Sequence, residues 1–129
     1  MKVIIVDDDR GNLNAFRTSL SRKGFQVEVC DRGDEALSRI NALFKMGAPP
    51  DVVVTDQRMP VMTGADLISA LKDSWPDLPV VLMTAYGSKR LEEFAARMSA
   101  DYLEKPFAPE RLIEVIGHIH NTKRRAGLC

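Results

Sequence analysis

Carboxylates close two apolar runs in this sequence: Asp7, Asp8 and Asp9 follow Val3 to Val6, and Asp56 follows Val52 to Thr55. Thr84 follows a third run, Val80 to Met83, and Lys105 comes just after a fourth, Asp101 to Leu103 continuing into Glu104. If these runs are neighbouring strands, the groups that follow them meet in one crevice. Carboxylates gathered in this way repel, and the repulsion is relieved by protonating one, by separating them or by supplying a cation. Hard oxygen ligands with no His or Cys beside them favour Mg²⁺, which keeps several waters and takes one or two carboxylates together with phosphate oxygens. The residue types therefore point to phosphate chemistry. Singly, each has a plainer reading: Asp9 as a helix cap, Thr84 as a turn hydroxyl, Lys105 as a solvated cation. Capping alone does not place the right group at four separate strand ends.

The elements that must position these groups are legible as a repeat. Five β-rich runs, the four above and Phe25 to Cys30, alternate with segments of helical period. The helical stripes are Leu13, Phe16 and Leu20; Ala36, Ile40, Leu43 and Phe44; Leu67, Ile68, Leu71 and Trp75; Leu91, Phe94, Ala95 and Met98; and Leu112, Ile116 and Ile119, the last entered through Pro109-Glu110. Such alternation predicts a parallel sheet covered by helices on both faces, because parallel neighbours need crossover connections. The runs at Val3, Val52 and Val80 are continuously apolar, as in central strands, whereas Phe25-Gln-Val-Glu-Val alternates like an edge. The predicted fold is an α/β, flavodoxin-like, doubly wound (βα)5 sandwich of strand order 2-1-3-4-5. In it the first and third strands adjoin where the winding reverses, and ligands bind outside their carboxyl ends. Gly33-Asp34, Ala48-Pro49-Pro50 and Pro76 to Pro79 read as loops.

Composition bounds the rest. A chain of 129 residues, 45% hydrophobic and 28% charged, has room for one core. Its 18 Lys plus Arg balance 18 Asp plus Glu, so no overall positive field draws nucleic acid or anionic lipid. Cys30 and Cys129 stand far apart without metal or redox spacing, which fits a reducing, cytoplasmic setting. No signal-peptide or membrane-spanning pattern is present. Residues 121 to 129 carry Lys123, Arg124 and Arg125 beyond the last apolar position and read as a basic tail or the start of a linker.

The ordered stretches Val3-Ile-Ile-Val-Asp7-Asp8-Asp9, Val53-Val-Thr-Asp56-Gln-Arg-Met59-Pro60 with Gly64, Leu82-Met-Thr84-Ala85, and Asp101-Tyr102-Leu-Glu-Lys105-Pro106-Phe107 resemble the receiver domain of two-component response regulators. The domain is expected over residues 1 to 120. The resemblance implies that Asp56 is a phosphoacceptor, taking a phosphoryl group from a kinase phosphohistidine to form an acyl phosphate. It implies that Asp8, Asp56 and the backbone carbonyl of Arg58 bind Mg²⁺ directly, with Asp7 acting through water. Lys105, Thr84 and the backbone N–H groups of Arg58 and Ala85 would hold phosphoryl oxygens. Thr84 and Tyr102 would form a switch that reshapes the face made by the fourth helix, fifth strand and fifth helix. Arg58 and Tyr86 would influence the lifetime of the phosphoryl group, and Lys105-Pro106 would be a cis peptide. The implied partners are a sensor histidine kinase or phosphotransfer protein, a downstream output domain or effector, and a second copy in a phosphorylation-dependent homodimer. Neither nucleic acid nor membrane is expected at this domain. It would not be a conventional enzyme, although it would help catalyse its own phosphorylation and dephosphorylation. Two stretches depart from the family pattern: Asn41 to Pro50 is longer than usual, and Met98-Ser99-Ala100 stands where Gly-Ala is usual.

Rival readings use the same residues. In an aspartate-nucleophile phosphohydrolase, Asp7 would attack external phosphate esters, since Asp7-Asp8-Asp9 satisfies Asp-x-Asp. That class, however, expects Thr or Val where Gly11 stands, and later paired acids that this sequence lacks. A flavodoxin-like cofactor binder would need Ser, Thr and Gly donors after the first strand, where these acids would repel phosphate. A degenerate receiver serving only as an interaction module is at odds with the intact reactive positions.

Overall fold

The computed structural model describes residues 1–126, in which five strands and five helices alternate. They are β1 (Lys2–Val6), α1 (Arg10–Arg22), β2 (Gln26–Cys30), α2 (Gly33–Lys45), β3 (Val52–Asp56), α3 (Gly64–Ser74), β4 (Val80–Thr84), α4 (Lys89–Arg97), β5 (Asp101–Glu104) and α5 (Pro109–Ala126). The strands form one parallel sheet in the order β2-β1-β3-β4-β5, as predicted. Val3 pairs with Val27 on one side and Val52 on the other, and Val53 with Val80, so the uniformly apolar runs occupy the centre. Every residue of β3 and β4 is buried, while the alternating β2 is half-buried at the edge.

Alternate side chains of the central strands feed two cores. Ile4, Val6, Val53 and Leu82 meet α2 and α3 through Ile40, Leu43, Leu67 and Leu71. Val3, Ile5, Val54 and Met83 meet α1 and α5 through Leu13, Leu20, Leu112 and Ile116. Each such aliphatic side chain, taken fully from water, stabilises the fold by about 1.5–3 kcal/mol. Burying both faces fixes the sheet's position and with it the ends of β1, β3 and β4.

Local signals set the helix starts. Asp9 accepts the Asn12 N–H as the cap of α1, Ser88 accepts that of Leu91 at α4, and Thr63 and Asp66 form a reciprocal capping box at α3. The reading of Gly33-Asp34 as a loop is corrected: α2 begins at Gly33, with Asp34 and Glu35 in the first turn, where carboxylates suit the positive end of the helix. Met62 packs against Gly33; an added Cβ would lie 3.2 Å from that flexible side chain, which would have to give by a few tenths of an ångström. At the other end, α5 runs through Asn121 to Ala126, so that part of the expected tail is helical, and residues 127–129 lie outside those described. Ser99, where glycine is the family's habit, adopts φ +54°, the left-handed backbone that glycine takes without cost. Lys105-Pro106 is cis. Among the described residues no helix is long and apolar enough to cross a membrane.

Gly64 is required by close approach: a Cβ there would overlap the backbone carbonyl of Asp56 and lie 2.9 Å from Leu82. Gly64→Ala is therefore expected to cost about 1–3 kcal/mol through overpacking. Urea denaturation of the two proteins measures it, and an unchanged midpoint would show that β3 and α3 have slack between them.

Candidate functional site

Three strand ends build the site. Asp7 emerges from β1 with its N–H bonded to the Cys30 carbonyl, Asp56 is the last residue of β3, and Thr84 ends β4, its carbonyl accepting the Lys105 N–H at 2.8 Å. That last bond ties the segment after β5 to the others. The carboxylates of Asp7, Asp8 and Asp56 offer one oxygen each, all within 4.8 Å of one another. Of the side chains predicted to share one crevice, those of Asp7, Asp8, Asp56 and Lys105 come together, whereas Asp9 caps α1 and the Thr84 hydroxyl is engaged by the Tyr86 N–H.

Within the cluster each carboxylate has distinct surroundings. Asp7 is fully buried and accepts from the Asp9 N–H at 2.9 Å, from the Asn12 side-chain amide at 3.4 Å and from the Lys105 ammonium at 3.0 Å. Asp56, 9% exposed, accepts the Gln57 N–H at 2.9 Å and lies 3.5 Å from the same ammonium. Asp8 is exposed. One cation thus faces two buried carboxylates, leaving negative charge in excess. The donor set, acidic oxygens alone, fits a hard divalent ion.

Asp56 shows the consequence. Burial first, and then the neighbouring charge of Asp7, push its carboxyl up to about 6 from an ordinary 3.8, against the pull of Lys105 and the Gln57 N–H. Folded protein then holds a proton that the unfolded chain releases at lower pH. Metal-free protein is accordingly expected to lose stability as pH rises from 3.8 towards about 6, with the full penalty present above that. Thermal melting in a chelator across this window, compared with Asp56→Asn, isolates the effect. The same slope in the variant would assign it to other groups.

Around the carboxylates lie the remaining predicted residues. The Thr84 hydroxyl accepts the Tyr86 N–H at 3.0 Å and keeps its own proton free to donate. Arg58 places its guanidinium 4.0 Å from the centre of the Tyr86 ring, which is 66% exposed. The Tyr102 hydroxyl is buried without a hydrogen bond, close to where a Cβ on Gly87 would stand and near Glu104. Burial and the Glu104 charge raise its phenol above the usual value. Met62 N–H bonds to the Pro60 carbonyl across Val61, at φ +72°: a γ-turn in its left-handed form, carrying a side chain that is 82% exposed. Neither Asn12, one turn into α1, nor Gln57, whose side chain accepts the Ala65 N–H at 2.8 Å, was singled out from sequence. Their positions shortly after the clustered acids Asp7 and Asp56 were the available signal.

Fold and crevice together define a doubly wound α/β domain with its chemistry at the point where the winding reverses. The profile of the response regulator receiver domain matches residues 3–117, and the chain belongs to that family. It is a signalling domain rather than a conventional enzyme. The response regulator MprA of Mycobacterium avium (strain 104) is 38% identical over 116 residues, 88% of this chain and 48% of that protein. The chain thus spans about half the length of the curated relatives it matches. A CheY-like receiver domain protein from Methanospirillum hungatei JF-1 superposes with a TM-score of 0.86 at 25% identity, over 96% of this chain and 97% of the other. The beryllofluoride-activated NtrC4 receiver domain, solved as a dimer, gives 0.82 at 30% identity over 92% and 94%. The phosphohydrolase reading is not favoured: the chain falls in another family, and Asp7 is enclosed and engaged by three donors.

Proposed function

We propose that Asp56 is the phosphoacceptor of a two-component phosphorelay. The observation that carries this is the gathering of the Asp7, Asp8 and Asp56 oxygens within 4.8 Å beside the Lys105 ammonium. A carboxylate oxygen of Asp56 attacks the phosphorus of a phosphohistidine, the P–N bond breaks, and the imidazole leaves with the electron pair and takes up a proton. Lys105 would meet oxygens of the incoming group, the Thr84 O–H would donate to another, and the N–H groups of Arg58 and Ala85 would hold the rest. Donors set in place before reaction would stabilise the developing charge most effectively.

Mg²⁺ fits the acidic cluster. Asp8, Asp56 and the Arg58 carbonyl would hold it directly, with Asp7 acting through water, and when bound it supplies charge neutralisation for phosphoryl and carboxylate oxygens. Arg58 stacked on Tyr86 stands at the rim, where it would govern access of water to the acyl phosphate. On phosphorylation, Thr84 would give up the Tyr86 N–H and move toward the new oxygens, freeing space for Tyr102 and reshaping the surface of α4, β5 and α5.

The partners proposed are a sensor histidine kinase or phosphotransfer protein as donor and an output domain or effector as recipient. The half-length match to MprA supports an output region, with residues 1–120 as the receiver and 121–129 as a basic tail or the start of a linker. The NtrC4 dimer supports a phosphorylation-dependent homodimer. A cytoplasmic setting follows from this partnership. The test is intact mass after incubation with acetyl phosphate and Mg²⁺, followed by localisation of the adduct. One phosphoryl group on Asp56 is expected, whereas labelling of Asp7 would return the reading to the hydrolase.

A further inference from the structure

We propose that the groove between the amino-terminal end of α3 and the helix α4 docks an acidic, amphipathic segment of a protein partner. The groove encloses about 590 Å³ and contains Arg58, Tyr86, Arg90, Leu91, Phe94 and Arg97 in its lining. Among the described residues no carboxylate lines it. None of the three guanidinium groups has an ion-pair partner among the described residues, although the chain as a whole is electrically balanced. The positive charge is local, and it is unspent.

Position along α4 sharpens the argument. Arg90, Phe94 and Arg97 recur at helical spacing and share one face, two cations flanking a half-buried aromatic ring. Lys89 and Arg90 open the helix at its positive end, where cations are unfavourable and a carboxylate from outside is welcome. Ala95 is the one buried residue in α4, against three or four in each of α1, α2 and α3, so α4 leaves most of its side chains open to solvent. The groove is more open than enclosed, which suits the surface of a macromolecule better than a small ligand, since small-ligand sites enclose most of what they bind. Charge complementarity therefore selects a segment with carboxylates spaced to reach Arg90 and Arg97, with an apolar side chain between them resting on Leu91 and Phe94. The inference does not depend on the chemistry proposed for Asp56.

The probe is a synthetic helical peptide of Glu with Leu and Phe at one-turn spacing, titrated into the full chain at low salt and followed by backbone amide NMR and fluorescence anisotropy. Saturable shifts centred on Arg58, Leu91 and Phe94 are expected, together with weakening as salt is added. Arg90→Glu with Arg97→Glu should lower affinity about tenfold or more. Arg17→Glu, an exposed charge reversal on α1, should change it less than about twofold. Arg90→Gln with Arg97→Gln keeps the stems without the charge and provides the same test should the reversal disturb folding. Equal affinity in both paired variants would overturn the proposal. So would shifts mapping to another face, absence of binding at millimolar peptide, or tighter binding of an oligothymidylate to the same groove.

Discussion

Asp56→Asn is expected to remove phosphoryl uptake altogether: incubated with acetyl phosphate and Mg²⁺, the wild-type chain gains one phosphoryl mass and the variant none. The amide nitrogen and oxygen of Asn lack the nucleophilicity of a carboxylate, while the side chain keeps its shape and can still accept the Gln57 N–H. The variant also removes one of two buried negative charges facing a single ammonium, so it should fold at least as stably as wild type in the absence of metal. Loss of uptake in a protein that melts no earlier separates chemistry from unfolding. Retained uptake would mean that the acceptor lies elsewhere and that the proposed role of Asp56 is wrong.

Lys105→Met should produce the largest change in stability. The ammonium lies 3.0 Å from Asp7 and 3.5 Å from Asp56, whose side chains are 0% and 12% exposed. Without it two carboxylates remain together in a largely dry crevice. Stripping one partner from such a cluster costs about 3–5 kcal/mol, part of which is relieved if Asp56 takes up a proton. Urea unfolding in a chelator measures the loss. Adding Asp56→Asn to Lys105→Met should recover most of it, because the second change removes the repulsion exposed by the first. Magnesium should narrow the gap between wild type and the single variant. A loss below about 1 kcal/mol would show the cluster to be as well solvated as a surface pair.

The order of the sheet was legible because burial on both faces leaves a plain mark: Val52 to Thr55 and Val80 to Met83 carry little that wants water, and Gln26 and Glu28 mark an edge. The meeting of Asp7, Asp56, Thr84 and Lys105 followed from that order, since parallel strands bring their carboxyl ends to one side. What escaped detection depends on contacts distant in sequence or on polar surfaces. Gly33 reads as a break, and the packing of Met62 from the β3–α3 connection against it joins residues distant in sequence. Beyond Ile119 no apolar position repeats, so nothing in the pattern signalled that α5 continues to Ala126. The stacking of Arg58 on Tyr86 joins two loops whose separate sequences carry no sign of it.

Val61 has a consequence for anyone redesigning this domain. A branched side chain that packs on almost nothing sits on a backbone shape that glycine accepts more readily. The loop leaving β3 is thus built from a residue ill-suited to its own geometry. Exchanging that one side chain offers a way to raise heat tolerance without touching either core or any charged group in the crevice.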